Sequence, residues 1–276
     1  MVSGFLRKME VNFQDPVQYT LALHEGPTIK LNPLIGKTLQ LNFSLKIACV
    51  GCGRKISKSF NQGYCYPCFK RLAACDSCII KPELCHFDNG TCREPDWGLA
   101  HCMQPHYVYV SYTSNIKVGV TRAVNIPMRW IDQGAISAQP IFSTHTRLHA
   151  GIIEHKLASF VKDKTQWQRM LKQHNEVIQL SASIEVLFNE SAINEFITTN
   201  TLWEHTPPVS LWQKNEQINI AYPVEKVPEK ISSHNPHKES KVEGVLTGIK
   251  GQYLIFDTGV INIRKYTGYA VDILSS

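Results

Sequence analysis

All nine cysteines of this 276-residue chain lie between positions 49 and 102. An extracellular disulfide framework more often has an even number, spread over the fold that it staples. An odd number, compressed and organised as Cys-x-x-Cys pairs, points to metal ligation in a reducing compartment, so the cytoplasm is expected. Cys49-x2-Cys52 and Cys65-x2-Cys68 have the layout of a zinc ribbon or knuckle. The reason is geometric: one Cys-x-x-Cys turn presents two thiolates to a tetrahedral ion, and a second turn completes the shell. A second set opens with Cys75 and Cys78 and continues through Cys85 and Cys92. Cys102, His86 and His101 are alternatives for its fourth ligand. The spacing also permits a cross-braced arrangement in which Cys49 and Cys52 pair with Cys75 and Cys78. One or two structural Zn2+ ions are expected, in closed sites that leave no position for a substrate.

Composition excludes more than it selects. The chain carries 29 basic and 23 acidic side chains and is 43% hydrophobic, enough for two domains or for one domain with an accessory module. No run approaches the ~18 apolar residues of a spanning helix. The amino terminus has charges where a signal peptide needs an apolar stretch. Neither a membrane protein nor a conventionally secreted one is expected. Counted over 1–48, 49–102, 103–200 and 201–276, the basic surplus is spread evenly, with no basic tail. A zinc held by four thiolates subtracts two further charges. The charge balance therefore names no partner.

Hydrophobic periodicity divides the rest. Short alternating runs at 19–23 and 38–43, punctuated by Gly26, Pro27 and Gly36, predict a β-rich segment over 1–48. The zinc-binding module spans 49–102. Tyr107–Tyr112 and Lys117–Thr121 flank Ser114-Asn115 and predict a hairpin. Ile152, Ile153, Leu157, Phe160 and Val161 recur at helical spacing, and Trp167, Met170 and Leu171 suggest a second helix. These make an α/β domain with a helical extension over 103–222. The proline- and charge-rich stretch 223–243 is expected to be a linker or exposed loop, and 244–276 returns to strands. The rhythm of tyrosine, strand and glycine at 19–41 returns at 253–273. That pattern is what any two glycine-punctuated meanders would show, and the alternative is an internal repeat paired into one barrel or sheet.

Val108-Tyr109, Val118-Gly119, Arg129 and the Glu154 of Ala150-Gly-Ile-Ile-Glu-His-Lys-Leu157 occur in the order of the GIY-YIG endonuclease motifs. About 60 residues, 103–165, resemble that superfamily. The resemblance implies a GIY-YIG-like α/β core within an α+β fold. It further implies Tyr109 as base or proton relay, Arg129 as phosphate clamp, and Glu154 as ligand of Mg2+. Lys117 stands where the second tyrosine belongs, and Tyr107 where the first glycine belongs. Arg129 lies two residues later than the family's spacing, with Pro127 before it. Over nearly its whole length the chain also resembles an uncharacterised bacterial family. The segments that carry this are Gly-Thr-Cys-Arg-Glu-Pro at 90–95, Arg-Trp-Ile-Asp-Gln-Gly-Ala at 129–135 and Gly-Ile-Lys-Gly-Gln-Tyr-Leu at 248–254. The 129–135 run has the residue types to grip a nucleotide or to cap a helix.

The expected function is that of a zinc-binding, GIY-YIG-like nuclease that hydrolyses DNA or RNA with divalent metal. The alternatives are a non-catalytic zinc-ribbon module that binds nucleic acid through a degenerate nuclease core, and a zinc-stapled scaffold for another protein.

Overall fold

The computed structural model describes residues 1–24, 26–161, 166–173, 178–203 and 206–275. Along the chain come strands β1 (Val2–Leu6), β2 (Glu10–Asn12), β3 (Gln18–Leu21), β4 (Leu23–His24), β5 (Ile29–Lys30), β6 (Thr38–Ala48) and β7 (Lys55–Ile56). Helices α1 (Tyr66–Arg71) and α2 (Pro95–His101) follow. Next are β8 (His106–Tyr112), β9 (Ile116–Arg122), α3 (Met128–Asp132), β10 (Ser137–Thr144) and α4 (Arg147–Ala158). Then come α5 (Trp167–Lys172), α6 (Ser181–Ser191), α7 (Ile193–Thr199), β11 (Val209–Ser210) and β12 (Ile218–Asn219). The chain closes with β13 (Lys241–Lys250), β14 (Tyr253–Phe256), β15 (Gly259–Asn262) and β16 (Tyr269–Ser275). This is a mixed α+β fold with antiparallel sheets. Among the described residues no helix is long and apolar enough to cross a membrane.

The chain forms two compact units, neither of them continuous in sequence. The first comprises residues 1–70, 131–134 and 221–276, and the second 71–130 and 135–220. The cysteine block is thereby divided: Cys49 to Cys68 fall in the first unit and Cys75 to Cys102 in the second.

In the first unit, eight strands form one sheet in the order β15-β14-β13-β6-β16-β1-β4, with β7 also paired to β6. The β-rich ends of the chain thus fold as one body, since β6 pairs with both β13 and β16 and β1 pairs with β16. Alternation along β6 buries Leu39, Leu41 and Phe43, as a half-buried strand requires. The stretch 223–243 runs along this sheet: Ile249 N–H donates to the Pro223 carbonyl at 2.9 Å and His234 N–H to that of Val260 at 2.8 Å. A polar knot closes the unit. Asp132 accepts from Lys8 Nζ at 2.7 Å and from Gln252 Nε2 at 2.9 Å. The Gln252 amide group also brackets Met9, accepting its N–H at 2.8 Å and donating to its carbonyl at 3.0 Å. The runs 129–135 and 248–254 meet here, and Asp132 is engaged in holding the fold.

In the second unit, β8 lies between β9 and β10 in a sheet extended by β11 and β12. The hairpin forms with Tyr109 opposite Gly119 and Ser111 opposite Lys117. Val108, Val110 and Val118 point to one face, where they join a core with Ala150, Ile153 and Leu157 of α4. Helix α4 starts before the apolar spacing marks it, because Thr146 caps it by accepting the His149 N–H at 3.3 Å. It ends at Ala158, so Phe160 lies beyond it and is 40% exposed.

Candidate metal centres

The first centre is built from the end of β6, the β7 hairpin and the start of α1. Cys49 follows β6 directly. A tight turn then returns the chain, with Cys49 N–H donating to the Arg54 carbonyl and Gly53 N–H to that of Cys49, each at 2.8 Å. Phe60 and Tyr64 exchange backbone bonds at 2.8 Å and set Cys65 opposite that turn. The four sulfurs of Cys49, Cys52, Cys65 and Cys68 lie within 4.8 Å of one another. Zinc–sulfur bonds of ~2.3 Å at tetrahedral angles place sulfurs about 3.8 Å apart; Cys52 and Cys65 Sγ are 3.8 Å apart. The donor set and its spacing fit zinc. Burial raises the Cys49 thiol, but N–H groups of Cys65, Gly51 and Cys52 aimed at its sulfur outweigh this and lower its pKa to about 6. Burial pushes Cys68 up to about 12, and the neighbouring sulfurs add to it. Four thiolates this close repel one another, and a dication is what allows all of them to ionise.

The charge of the stretch that carries this centre departs from the even spread expected over longer segments. Between Gly26 and Cys75 there are eight basic residues and no acidic one. All eight, among them Lys46, Arg54, Lys55, Lys58 and Lys70, are exposed. Counting over 49–102 hid this, because every acidic residue of that block lies at Asp76 or beyond. Aromatic rings accompany the cations. Tyr66 is 55% exposed, Phe60 stacks on Phe69 with ring centroids 5.8 Å apart, and Lys58 Nζ stands 5.3 Å over the Phe60 ring. Arg264, distant in sequence, joins them by donating from Nε to Gln62 Oε1 at 2.7 Å.

The second set lies in the second unit. Cys78, Cys85, Cys92 and Cys102 line one small cavity together with Asp76 and His86. Cys75, assigned to this set from sequence, is buried but is not among the lining residues, and Cys102 is. A hydrogen bond from the Cys102 thiol is the main reason that Cys85 is lowered to about 6. Giving that bond raises Cys102 in turn. Burial first, then the Asp76 charge, pushes Cys78 up to about 11. Asp76 is itself paired with Arg93 Nε at 2.7 Å. His101 stacks on Trp97 at 4.1 Å and bonds through Nδ1 to the Trp97 carbonyl oxygen.

Among the residues expected to form a hydrolytic site, Tyr109 and Lys117 share the face of the hairpin opposite the α4 core, as their registers with Gly119 and Ser111 require. Tyr109 is 1% exposed, with the edge-on ring of Trp130 at 5.7 Å. A Cβ at position 119 would lie 2.7 Å from the Tyr109 ring, so glycine is what admits it. Glu154 belongs to α4, which packs on the other face. Arg129, on α3, is close enough to Arg147 at the start of α4 for its charge to disfavour that guanidinium. Sequence reading passed over Arg147 and also His106, which is 0% exposed at the start of β8. Burial lowers His106 to about 4, and the charges of Arg147 and Arg122 add to the effect. An arginine opening a helix and a histidine in a strand carry no motif that would have marked them.

The fold is mixed α+β with antiparallel sheets, and it carries a four-cysteine cluster of a spacing consistent with zinc. The chain belongs to the DUF2797 family of proteins of unknown function, which it matches over residues 36–271. No curated protein and no solved structure matches it.

Proposed function

We propose that the first unit is a zinc ribbon that binds single-stranded nucleic acid. The observation that carries this reading is the run of eight exposed cations without one acid between Gly26 and Cys75, the stretch of sequence that contains the four-sulfur cluster. A zinc tetrathiolate contributes −2, which the surrounding lysines and arginines exceed. Exposed cations supply phosphate contacts, and exposed Tyr66 beside the Phe60–Phe69 pair offers faces on which bases stack, worth about 1–3 kcal/mol per base. The zinc would hold this surface rigid, because so short a ribbon has little core of its own. Thiolate ligation calls for a reducing compartment, which makes the cytoplasm the natural location.

The geometry favours binding over hydrolysis. A buried Tyr109 is poorly placed to take a proton from water, and the sheet separates it from the helix that bears Glu154. Among the described residues Glu154 belongs to no group of ligating side chains that would gather Mg2+. The test is fluorescence anisotropy with labelled single-stranded DNA and RNA over a series of salt concentrations, in the presence of magnesium. Expected is binding that weakens steeply with salt and leaves the strands intact. No affinity at low salt would overturn the reading and leave the protein scaffold; cleavage lost in Arg129→Ala and Glu154→Ala would restore the nuclease.

A further inference from the structure

The cavity of the second unit has the chemistry of a metal site with a ligand set of its own. Its volume is about 10 Å³. That is the lower limit for one water, about 10–15 Å³, so the space suits an ion and excludes an organic ligand. Cys78, Cys85, Cys92 and Cys102 are among its lining residues, and Cys85 and Cys102 are hydrogen-bonded. The four sulfurs are not all within 4.8 Å of one another, so an ion would have to draw them together. The Cys85 sulfur accepts the N–H of Phe87, two residues on, as Cys49 accepts that of Gly51 in the ribbon. The same local turn presents sulfur in both places.

A cation stands beside this set. Arg147 donates through Nη2 to the Ile79 carbonyl at 2.6 Å, and its backbone N–H donates to the Cys102 carbonyl at 2.8 Å. Its buried Nε has no partner among the described residues, and its charge is felt by Cys102, Cys78 and Cys85. A buried N–H donor left unused is destabilising. A zinc tetrathiolate at −2 would offer this guanidinium both charge and acceptor lone pairs.

Rival ligands at this place have other partners. Asp76, Cys78 and His86 bring ligand atoms within 4.8 Å of one another. Asp76, however, holds Arg93 at 2.7 Å and the Ser77 N–H at 2.6 Å, and His86 Nε2 faces Asp76 Oδ2 at 3.5 Å. We propose that Cys78, Cys85, Cys92 and Cys102 bind a second, structural zinc ion, and that Arg147 is the positioning residue that fixes this centre to α4. On binding, the four thiols release their protons to solvent and the sulfurs take the metal. Residues 72–105 hold three short 3-10 turns and the seven-residue α2 but no strand, so the ion supplies cohesion that their packing lacks. This site is independent of whether the ribbon binds nucleic acid.

Zinc per chain, measured by plasma mass spectrometry on the purified full-length protein, tests the assignment. The wild type should hold two ions, Cys92→Ser and Cys102→Ser one each, and Cys75→Ser and His86→Ala two. Because losing a ligand also loosens its segment, a second variant leaves the ligands intact. Arg147→Met should keep both ions but bind one of them about 10–100-fold more weakly against a competing chelator. One zinc in the wild type overturns the proposal, as does a Cys75→Ser protein holding one, or an intact mass two protons light from a Cys85–Cys102 disulfide. Unchanged affinity in Arg147→Met would remove Arg147 from the assignment.

Discussion

The two cysteine clusters differ in everything except their sulfur. The first sits among exposed lysines and arginines, with Cys52 and Tyr66 at the surface. The second lies in a stretch where residues 72–102 carry five acidic and two basic groups. Its cysteines line a small cavity next to a partly buried arginine, and the adjoining turn is pressed against α4. The difference teaches that a thiolate cluster can serve opposite ends. On the two proposals, the first would brace a basic, aromatic-bearing surface for nucleic acid, and the second would fasten a segment that holds no strand of its own.

The sharpest way to break this comparison is to remove one cluster at a time. A structural zinc contributes apparent binding energies of about 10–16 kcal/mol, so Cys65→Ser should abolish ribbon folding and with it nucleic acid binding. Cys102→Ser should leave binding within a few-fold of wild type, measured by anisotropy on both variants. Equal losses would make the two centres one functional body.

The packing of the second cluster's loop is tested next. A Cβ at Gly151 would stand 2.4 Å from the backbone of Pro82 and Glu83, which no side-chain rotation relieves. Gly151→Val should therefore cost about 3 kcal/mol or more, read as a lower denaturation midpoint, with ribbon zinc retained. A chain of wild-type stability would show that the loop is not seated on α4.

A smaller effect concerns pH. His106 is held near 4, below its ordinary 6.5, first by burial. The sign follows from proton uptake: the unfolded chain binds a proton at His106 that the folded one refuses. Its contribution is therefore complete above pH 6.5 and is lost as pH falls toward 4, by about 3 kcal/mol in all. His106→Gln should flatten the fall in stability between pH 6.5 and 4; a slope equal to that of wild type contradicts it. Smaller still, Tyr66→Ala should weaken single-strand binding by about 1–2 kcal/mol without moving the denaturation midpoint, because its ring is more than half exposed.

What the sequence revealed was what is local. The ribbon spacing, the β8–β9 hairpin and α4 each depend on a period or a turn within a dozen residues, and each can be read directly. The pairing of β6 with β13 and β16 brings together residues some 200 positions apart, and strand patterning alone does not choose such partners. The split of the cysteine block and the place of Cys102 beside Arg147 have the same cause. So does the fate of Tyr109: its motif marks a strand tyrosine, while the burying ring comes from Trp130. The basic ribbon was in the sequence all along, averaged away by counting across Asp76.

The central claim is that the ribbon's cations carry the partner's phosphates. The most direct measurement is the slope of log affinity against log salt for single-stranded nucleic acid, comparing wild type with the Lys55→Ala, Lys58→Ala, Lys70→Ala triple variant. At about 0.7 per lost phosphate contact, the account predicts a slope shallower by about 2. The same slope in both proteins, with affinity unchanged, would contradict it.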